Sequence, residues 1–335
     1  MAEVPADHHD EISVEVVQAP IVMRYQSTLS IVVPCYNEEE VLPETVRRLN
    51  HLLDELIVSR SITDGSLYFV DDGSEDSTWR LIEKYAEADK RIHGIKLSRN
   101  CGHQSALLAG LLNAPGDVVI SIDADLQDDL AAIKEMLAAC AAGAEIVYGV
   151  RRQRRTDTPF KRATAEAYYS LLRTVGVQLI FNHADYRLLS RRVIEVLRSY
   201  KETNIFLRGL IPQLGFNSAL VYYDRLARSA GVSKYSFSKM FALAVEGITS
   251  FSDIPLKLIT MLGLLISFVS FGMGIWALWI RISNPAAVPG WASTVIPLYM
   301  LGGVQLLCMG VIGQYMVKIY SETKSRPRFI VEKML

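Results

Sequence analysis

The sequence predicts an α/β domain on a mostly parallel sheet, followed by a two-helix membrane hairpin. Short β-branched runs alternate with amphipathic helical stretches over residues 29–150, the pattern of strands connected by crossover helices. Two long uncharged segments then lie near the carboxyl end, with a basic tail behind them.

The strands are expected at SIVVP (30–34), LYFVD (67–71), HGIKL (93–97), DVVISID (117–123) and EIVYG (145–149). Helical periodicity falls between them, near 40–58, 77–89, 103–113 and 129–141. Residues 1–27 read as a flexible lead and 28–235 as the catalytic domain. Within that domain 151–235 is more basic and less regular, with RRQRR at 151–155, a helical pattern near 160–180 and a strand at DYRLL (185–189). The stretch 236–253 places Phe237, Met240, Phe241, Ala244, Ile248 and Phe251 at helical spacing, which suits an interfacial helix or equally a packing helix.

Of the 335 residues, 50% are hydrophobic, and mean hydropathy is +0.20, high for a purely soluble chain. Leu258 to Ile280 carries no charge, and about 20 apolar residues at about 1.5 Å each span a bilayer core. Two spans are expected, at 256–281 and 293–318, joined by the Pro-containing turn RISNPAAVPGWA. The turn carries Arg281 alone, whereas the tail 319–335 carries Lys324, Arg326, Arg328 and Lys333 behind Lys318. That bias places the tail and catalytic domain on the cytoplasmic face of an inner or plasma membrane. Trp276, Trp279, Trp291 and Tyr299 lie toward the turn, as an interfacial belt does.

The net charge of −1 gives no general attraction to nucleic acid. Cys35, Cys101, Cys140 and Cys308 are scattered without C-x-x-C or a histidine cluster, so neither a disulfide framework nor a zinc site is indicated. The acidic, His-containing start is not a secretory signal.

In open parallel sheets ligands bind beyond the carboxyl ends of the strands. The first strand ends in Pro34-Cys35-Tyr36-Asn37-Glu38, the second in Asp71-Asp72-Gly73-Ser74. Acids there also serve as turn residues or complement a helix dipole. The fourth strand is more telling: DVVISIDADLQDD places Asp123 and Asp125 in alternation at its end, with Gln127 next. Hard oxygen ligands of this kind suit Mg²⁺ or Mn²⁺ bridging a diphosphate.

Taken in order, SIVVPCYNEEE, VDDGSEDST, LSRNCGHQSALLAG, DADLQD, GVR, DYRLLSRR, AGVSKYSFSKM and IGQYMVKIYSETKSRPRF resemble glycosyltransferase family 2 over residues 28–330. Within that family they resemble the polyprenyl-phosphate branch, the bactoprenol glucosyltransferases and dolichol-phosphate mannose synthases. The resemblance implies a GT-A fold and transfer of a sugar from a nucleotide-sugar to a polyprenyl phosphate, with the membrane lipid as acceptor. It implies a nucleotide site at Pro34, Tyr36, Asn37, Glu38, Asp71 or Asp72, Gln104 and Asp123. The metal site would be Asp123, Asp125 and Gln127, and the lipid-phosphate site Arg151, Arg162, Arg187, Arg225, Arg228 and Lys234. Guanidinium groups suit the latter because they bind phosphate bidentately. A homo-oligomer, with a tetramer allowed, also follows from the resemblance.

Asp157 and Asp185 are the candidates for a carboxylate near the acceptor, with Asp157 preferred as the orienting or base-like group and Asp125 acting through the metal. A phosphate monoester with a second pKa near 6 is already largely dianionic at neutral pH, so a strong base is not required. The donor is read as UDP-glucose, with GDP-mannose as the alternative. Two departures temper the likeness: Asn182-His183-Ala184 precedes Asp185, and Ala165-Glu166 stands where the mannose synthases carry a serine. The rivals are a polysaccharide-building enzyme, whose Q-x-x-R-W motif is absent, and a non-catalytic membrane scaffold.

Overall fold

The computed structural model describes residues 27–152, 183–202, 207–224 and 291–335, with scattered positions between 256 and 279. The chain divides into two compact units. The first comprises Met1–Glu166, Gln178–Lys234 and Pro327–Leu335, and the second Ala167–Val177 and Tyr235–Arg326.

In the first unit β1 (Thr28–Cys35), β2 (Asp64–Asp71), β3 (Ile92–Leu97) and β4 (Val118–Ser121) run parallel in the spatial order β3-β2-β1-β4. The central pair, β1 and β4, are apolar runs buried on both faces, as a parallel sheet requires. Then β5 (Ile146–Arg151), β6 (His183–Ser190) and β7 (Ser218–Tyr223) extend the sheet beyond β4, β6 antiparallel to both its neighbours. Because the chain leaves β1 toward β2 and later returns to pair β4 on its other side, the switch point lies between β1 and β4.

The crossover helices are α1 (Leu42–Val58), α2 (Thr78–Ala88), α3 (His103–Asn113) and α4 (Ala132–Ala141), followed by α5 (Arg191–Ser199) and α6 (Leu207–Gln213). In α1 a proline in the first turn sets the start, and Leu42, Val46, Leu49, Leu53 and Leu56 recur on the buried stripe. Alternation along β1 feeds two cores. Ile31 and Val33 meet the α1 and α4 side, and Val32 meets α3. At Gly110 the α3 backbone approaches so closely that a Cβ would stand 2.2 Å from Val32 Cγ1 and 2.9 Å from Val70 Cγ2.

The expected strands and helices of 29–150 are present, with one correction. The fourth strand ends at Ser121 rather than at 123, because after Ile122 the chain leaves the sheet in a turn closed by Leu126 N–H to Asp123 O at 3.4 Å. Helices α5 and α6 and strand β7 were not anticipated.

The tail also departs from expectation. Val331–Met334 is a strand, β8, antiparallel to β3, rather than a free basic extension. Its backbone amide at Leu335 donates to Gly94 O at 2.9 Å, and Lys96–Glu332 (3.1 Å) and Lys333–Glu83 (2.8 Å) pair along the edge.

In the second unit Trp291–Thr323 forms one helix, α7, covering the expected span 293–318. Among the described residues no helix is long and apolar enough to cross a membrane. The other expected span is described only at isolated helical positions, and 160–180 and 236–253 lie outside the described residues.

Gly110→Val is expected to lower stability by at least about 1–3 kcal/mol through overpacking against β1 and β2. An unchanged denaturation midpoint for the purified variant contradicts the close approach.

Candidate active site at the carboxyl ends of β1, β2 and β4

The loops after β1 and β2 are laced together by backbone-to-side-chain bonds. Asn37, in the left-handed region at φ 54°, donates its N–H to Ser74 Oγ (3.0 Å) and accepts from Glu75 N–H at Oδ1 (2.9 Å). Glu38 N–H reaches Thr78 Oγ1 at 2.9 Å, and Ser77 N–H reaches Glu39 at 2.9 Å. Pro34 is buried at the end of β1, and Tyr36 stands out from it, 43% exposed.

The two strand-end acids are not equivalent. Asp72 spends both oxygens on backbone amides, Cys101 N–H at 2.7 Å and Gly102 N–H at 2.9 Å. It thereby caps the loop leading into α3. Gly73 permits this crossing: at φ 68° a Cβ would lie 2.6 Å from the Arg99 carbonyl carbon. Asp71 is fully buried and uses Oδ1 for Ser74 N–H at 3.2 Å, while Oδ2 has no hydrogen-bond partner among the described residues. Burial pushes the Asp71 carboxyl up, against the hydrogen bonds from Ser74. A buried acceptor left unmade costs about 1–3 kcal/mol.

Asp123, Asp125 and Gln127 lie in the turn after β4, with Leu126 left-handed at φ 47°. Strand alternation does not set their directions. Turn geometry does: Asp125 Oδ1 accepts Gln127 N–H at 3.2 Å, and Thr45 Oγ1 donates to Ala124 O at 2.7 Å. The Gln127 side chain is buried, and its Oε1 has no partner among the described residues. No group of three or more His, Cys, Asp or Glu side chains among the described residues is arranged to hold a metal.

Behind this turn stands a buried charge hub. Asp185, on β6, pairs with Arg187 and with Arg208 (2.9 Å), accepts from Gln104 Nε2 (3.2 Å), and lies 3.3 Å from His103 Nε2. The same imidazole is 3.7 Å from Asp123 Oδ1. Burial alone would raise the Asp185 carboxyl, but His103 and the two guanidinium groups hold it well below the usual carboxylate range. Burial works against charge on His103, yet Asp185 and Asp123 outweigh it and raise that imidazole. Burial raises the Asp123 carboxyl, with His103 opposing.

Several expected roles change on this geometry. Arg187 has no exposed surface and is spent on Asp185, so it sits inside the domain rather than at a lipid-facing surface. Gln104 is likewise committed, its Oε1 accepting Leu207 N–H at 3.2 Å. Arg151 is held by Asp128 (3.1 Å) and by Tyr223 (3.1 Å). Asp157, Arg162, Arg225, Arg228 and Lys234 lie outside the described residues. Sequence reasoning missed His103, Arg208, Asp128 and Tyr223; only His103, neighbour of Gln104 in GHQSALLAG, and Asp128, at the end of DADLQD, stood inside motifs that could have flagged them.

Residues 30–198 match the family model described as Glycosyl transferase family 2. The chain is 48% identical over 310 residues to the uncharacterized glycosyltransferase YkoT of Bacillus subtilis, across 92% of each chain. It is 39% identical over 308 residues to the bactoprenol glucosyl transferase of Shigella phage SfX, covering 91% of this chain and 98% of that protein. Among solved structures, the mannosyltransferase PcManGT from Pyrobaculum calidifontis in complex with GDP-Man and Mn²⁺ is similar at TM-score 0.49 and 16% identity, over 92% of this chain and 88% of that chain.

Asp185→Asn is expected to cost about 3–5 kcal/mol, because it leaves the Arg187 charge buried without its partner. A depressed folded pKa means that the carboxylate's stabilisation is present above its unfolded value of about 3.9 and is lost as pH falls below it. Denaturation midpoints measured from neutral pH down should therefore fall more steeply for the parent than for the variant; parallel profiles contradict the assignment.

Proposed function

The chain belongs to glycosyltransferase family 2, and from that premise we propose that it transfers glucose from UDP-glucose to a polyprenyl monophosphate, with inversion, at the cytoplasmic membrane face. The observation that carries the reading is an unsatisfied buried Asp71 oxygen at the end of β2, on the same carboxyl edge of the sheet as the Asp123–Asp125 turn that follows β4. The acceptor and sugar are supported by relatives named bactoprenol glucosyl transferase that align with 91% of the chain. Membrane association rests on the same names and on the apolar sequence of 256–281 and 293–318, read as a two-helix hairpin.

In this reading Asp71 Oδ2 accepts a hydrogen bond from the nucleoside base, and Tyr36 offers a face to it. Asp72 holds the loop 98–102 in place instead of touching the nucleotide. The hard oxygens of Asp123, Asp125 and Gln127 fit Mg²⁺ or Mn²⁺, ions that take one or two carboxylates and complete their shell with water and substrate phosphate. Bound there, such an ion supplies charge neutralisation for the departing nucleoside diphosphate.

The acceptor phosphate is its own nucleophile, so the chain's task is alignment and exclusion of water. Arg162, Arg225, Arg228 and Lys234 receive that phosphate, and Asp157 orients it. One in-line displacement inverts the anomeric carbon, and no enzyme nucleophile is used.

The test is transfer of radiolabelled glucose from UDP-glucose to a prenyl phosphate by the purified protein, with EDTA as control. Asp125→Asn should reduce turnover by about 100-fold or more while the protein stays folded, since several kcal/mol of charge stabilisation are removed. Near-normal turnover of that variant overturns the metal assignment, and turnover with GDP-mannose alone overturns the donor. Arg162→Ala should raise KM for the prenyl phosphate more than for the nucleotide-sugar, and an equal rise in both argues against the lipid role.

A further inference from the structure

The turn that carries Asp123 and Asp125 belongs to no helix or strand, so its position depends on side chains that pin it. Three pins are visible. Thr45 on α1 holds Ala124 O, and Tyr186 Oη on β6 donates to Asp129 O at 2.9 Å. Asp128 is the third, and its partners are Arg151 and Tyr223 on β5 and β7. It is 1% exposed, and its Oδ1 accepts from Arg151 Nε (3.3 Å), Arg151 Nη2 (3.1 Å) and the Tyr223 hydroxyl.

Arg151 and Tyr223 also bond to each other, Nε to Oη at 3.1 Å, so the three side chains form a closed triangle. Their placement in the sheet gives the triangle its meaning. Arg151 is the last residue of β5 and Tyr223 the last of β7, neighbouring parallel strands that end in register. From those two ends the chain continues into 153–182 and 225–234, the segments that hold Asp157, Arg162, Arg225, Arg228 and Lys234. Asp128 therefore ties the donor-side turn to the roots of both acceptor-side segments. The pairing also directs Arg151 inward, because a guanidinium sharing its Nε and one Nη with a buried carboxylate is already engaged in its bidentate edge.

We infer that Asp128, Arg151 and Tyr223 form a positioning clasp that sets the height of the metal-binding turn, and that Arg151 serves this clasp instead of binding the lipid phosphate. The inference rests on the metal reading of Asp123, Asp125 and Gln127. Groups that fix the orientation of metal-binding residues tune metal affinity, and Asp128, next in the chain to Gln127, would act by holding the backbone of the turn.

Tyr223→Phe is the least intrusive probe, since the ring keeps its edge-to-face packing on Tyr186 at 5.2 Å and only the hydroxyl is lost. Mn²⁺ binding to the purified full-length protein with UDP present is followed by electron paramagnetic resonance. In parallel, KM for the prenyl phosphate is measured. The variant should bind Mn²⁺ about 10–100-fold more weakly while KM for the prenyl phosphate is unchanged. Arg151→Lys keeps the charge but not the fork, should weaken Mn²⁺ in the same direction, and carries the test if Tyr223→Phe does not fold.

Unchanged Mn²⁺ affinity in the variants overturns the clasp while leaving the metal site intact. So does an Arg151→Lys protein whose only defect is a raised KM for the prenyl phosphate, which makes Arg151 a phosphate ligand. If the parent itself binds no Mn²⁺, the metal reading fails and takes the clasp with it.

Discussion

A guanidinium with no exposed surface, Arg187, sits at the centre of the catalytic unit and is held there by Asp185. Moving such a charge out of water costs several kcal/mol, and the ion pair repays it only with good geometry and further hydrogen bonds. Those further bonds decide what lies where. Arg187 reaches the Leu207 carbonyl at 3.4 Å, Asp185 takes Arg208 and Gln104, and His103 leans on the same carboxylate. Strand β6 is thereby fastened to the first turn of α3 and to α6, and α3 is fastened to the loop that Asp72 caps. The hub is a packing device whose consequence is chemical: it fixes His103 beside Asp123.

Around the hub, polar groups at the sheet's carboxyl edge differ in how fully they are met. Asp72, Asp185 and Gln104 are spent on protein partners at both polar atoms, whereas Asp128 and Arg187 are paired yet keep Asp128 Oδ2 and Arg187 Nε buried without a hydrogen-bond partner among the described residues. Asp71 Oδ2 and Gln127 Oε1 are buried in the same condition. Native interiors rarely leave such atoms unmet.

The C-terminal strand adds a mechanical element. By pairing with β3 and placing Ser98 N–H on Ile330 O at 3.0 Å, β8 stiffens the strand that leads directly into the Asp72-capped loop. It also covers an otherwise open edge of the sheet, with Lys96, Glu332 and Lys333 supplying charge along the join.

The sequence by itself determined the alternating β/α order through β5, the burial of its central strands, and the acids that lie at or just beyond the ends of β1, β2 and β4, because period and apolar run length are local properties of the chain. It also carried the family through motifs whose order spans nearly the whole length. Tertiary structure alone decided that Asp71 and Asp72 differ, that β4 stops short of Asp123, and that Arg151 and Arg187 face inward. A charged side chain reads the same in sequence whether solvated or buried, and only its partners distinguish the two; Asp128 and Tyr223, which hold Arg151, come from segments far from it in the chain, and the Asp185 that holds Arg187 is itself fixed by His103 and Arg208 from distant segments. The strand β8 was hidden for the same reason, since a short charged tail becomes a strand only when an edge is there to pair with it.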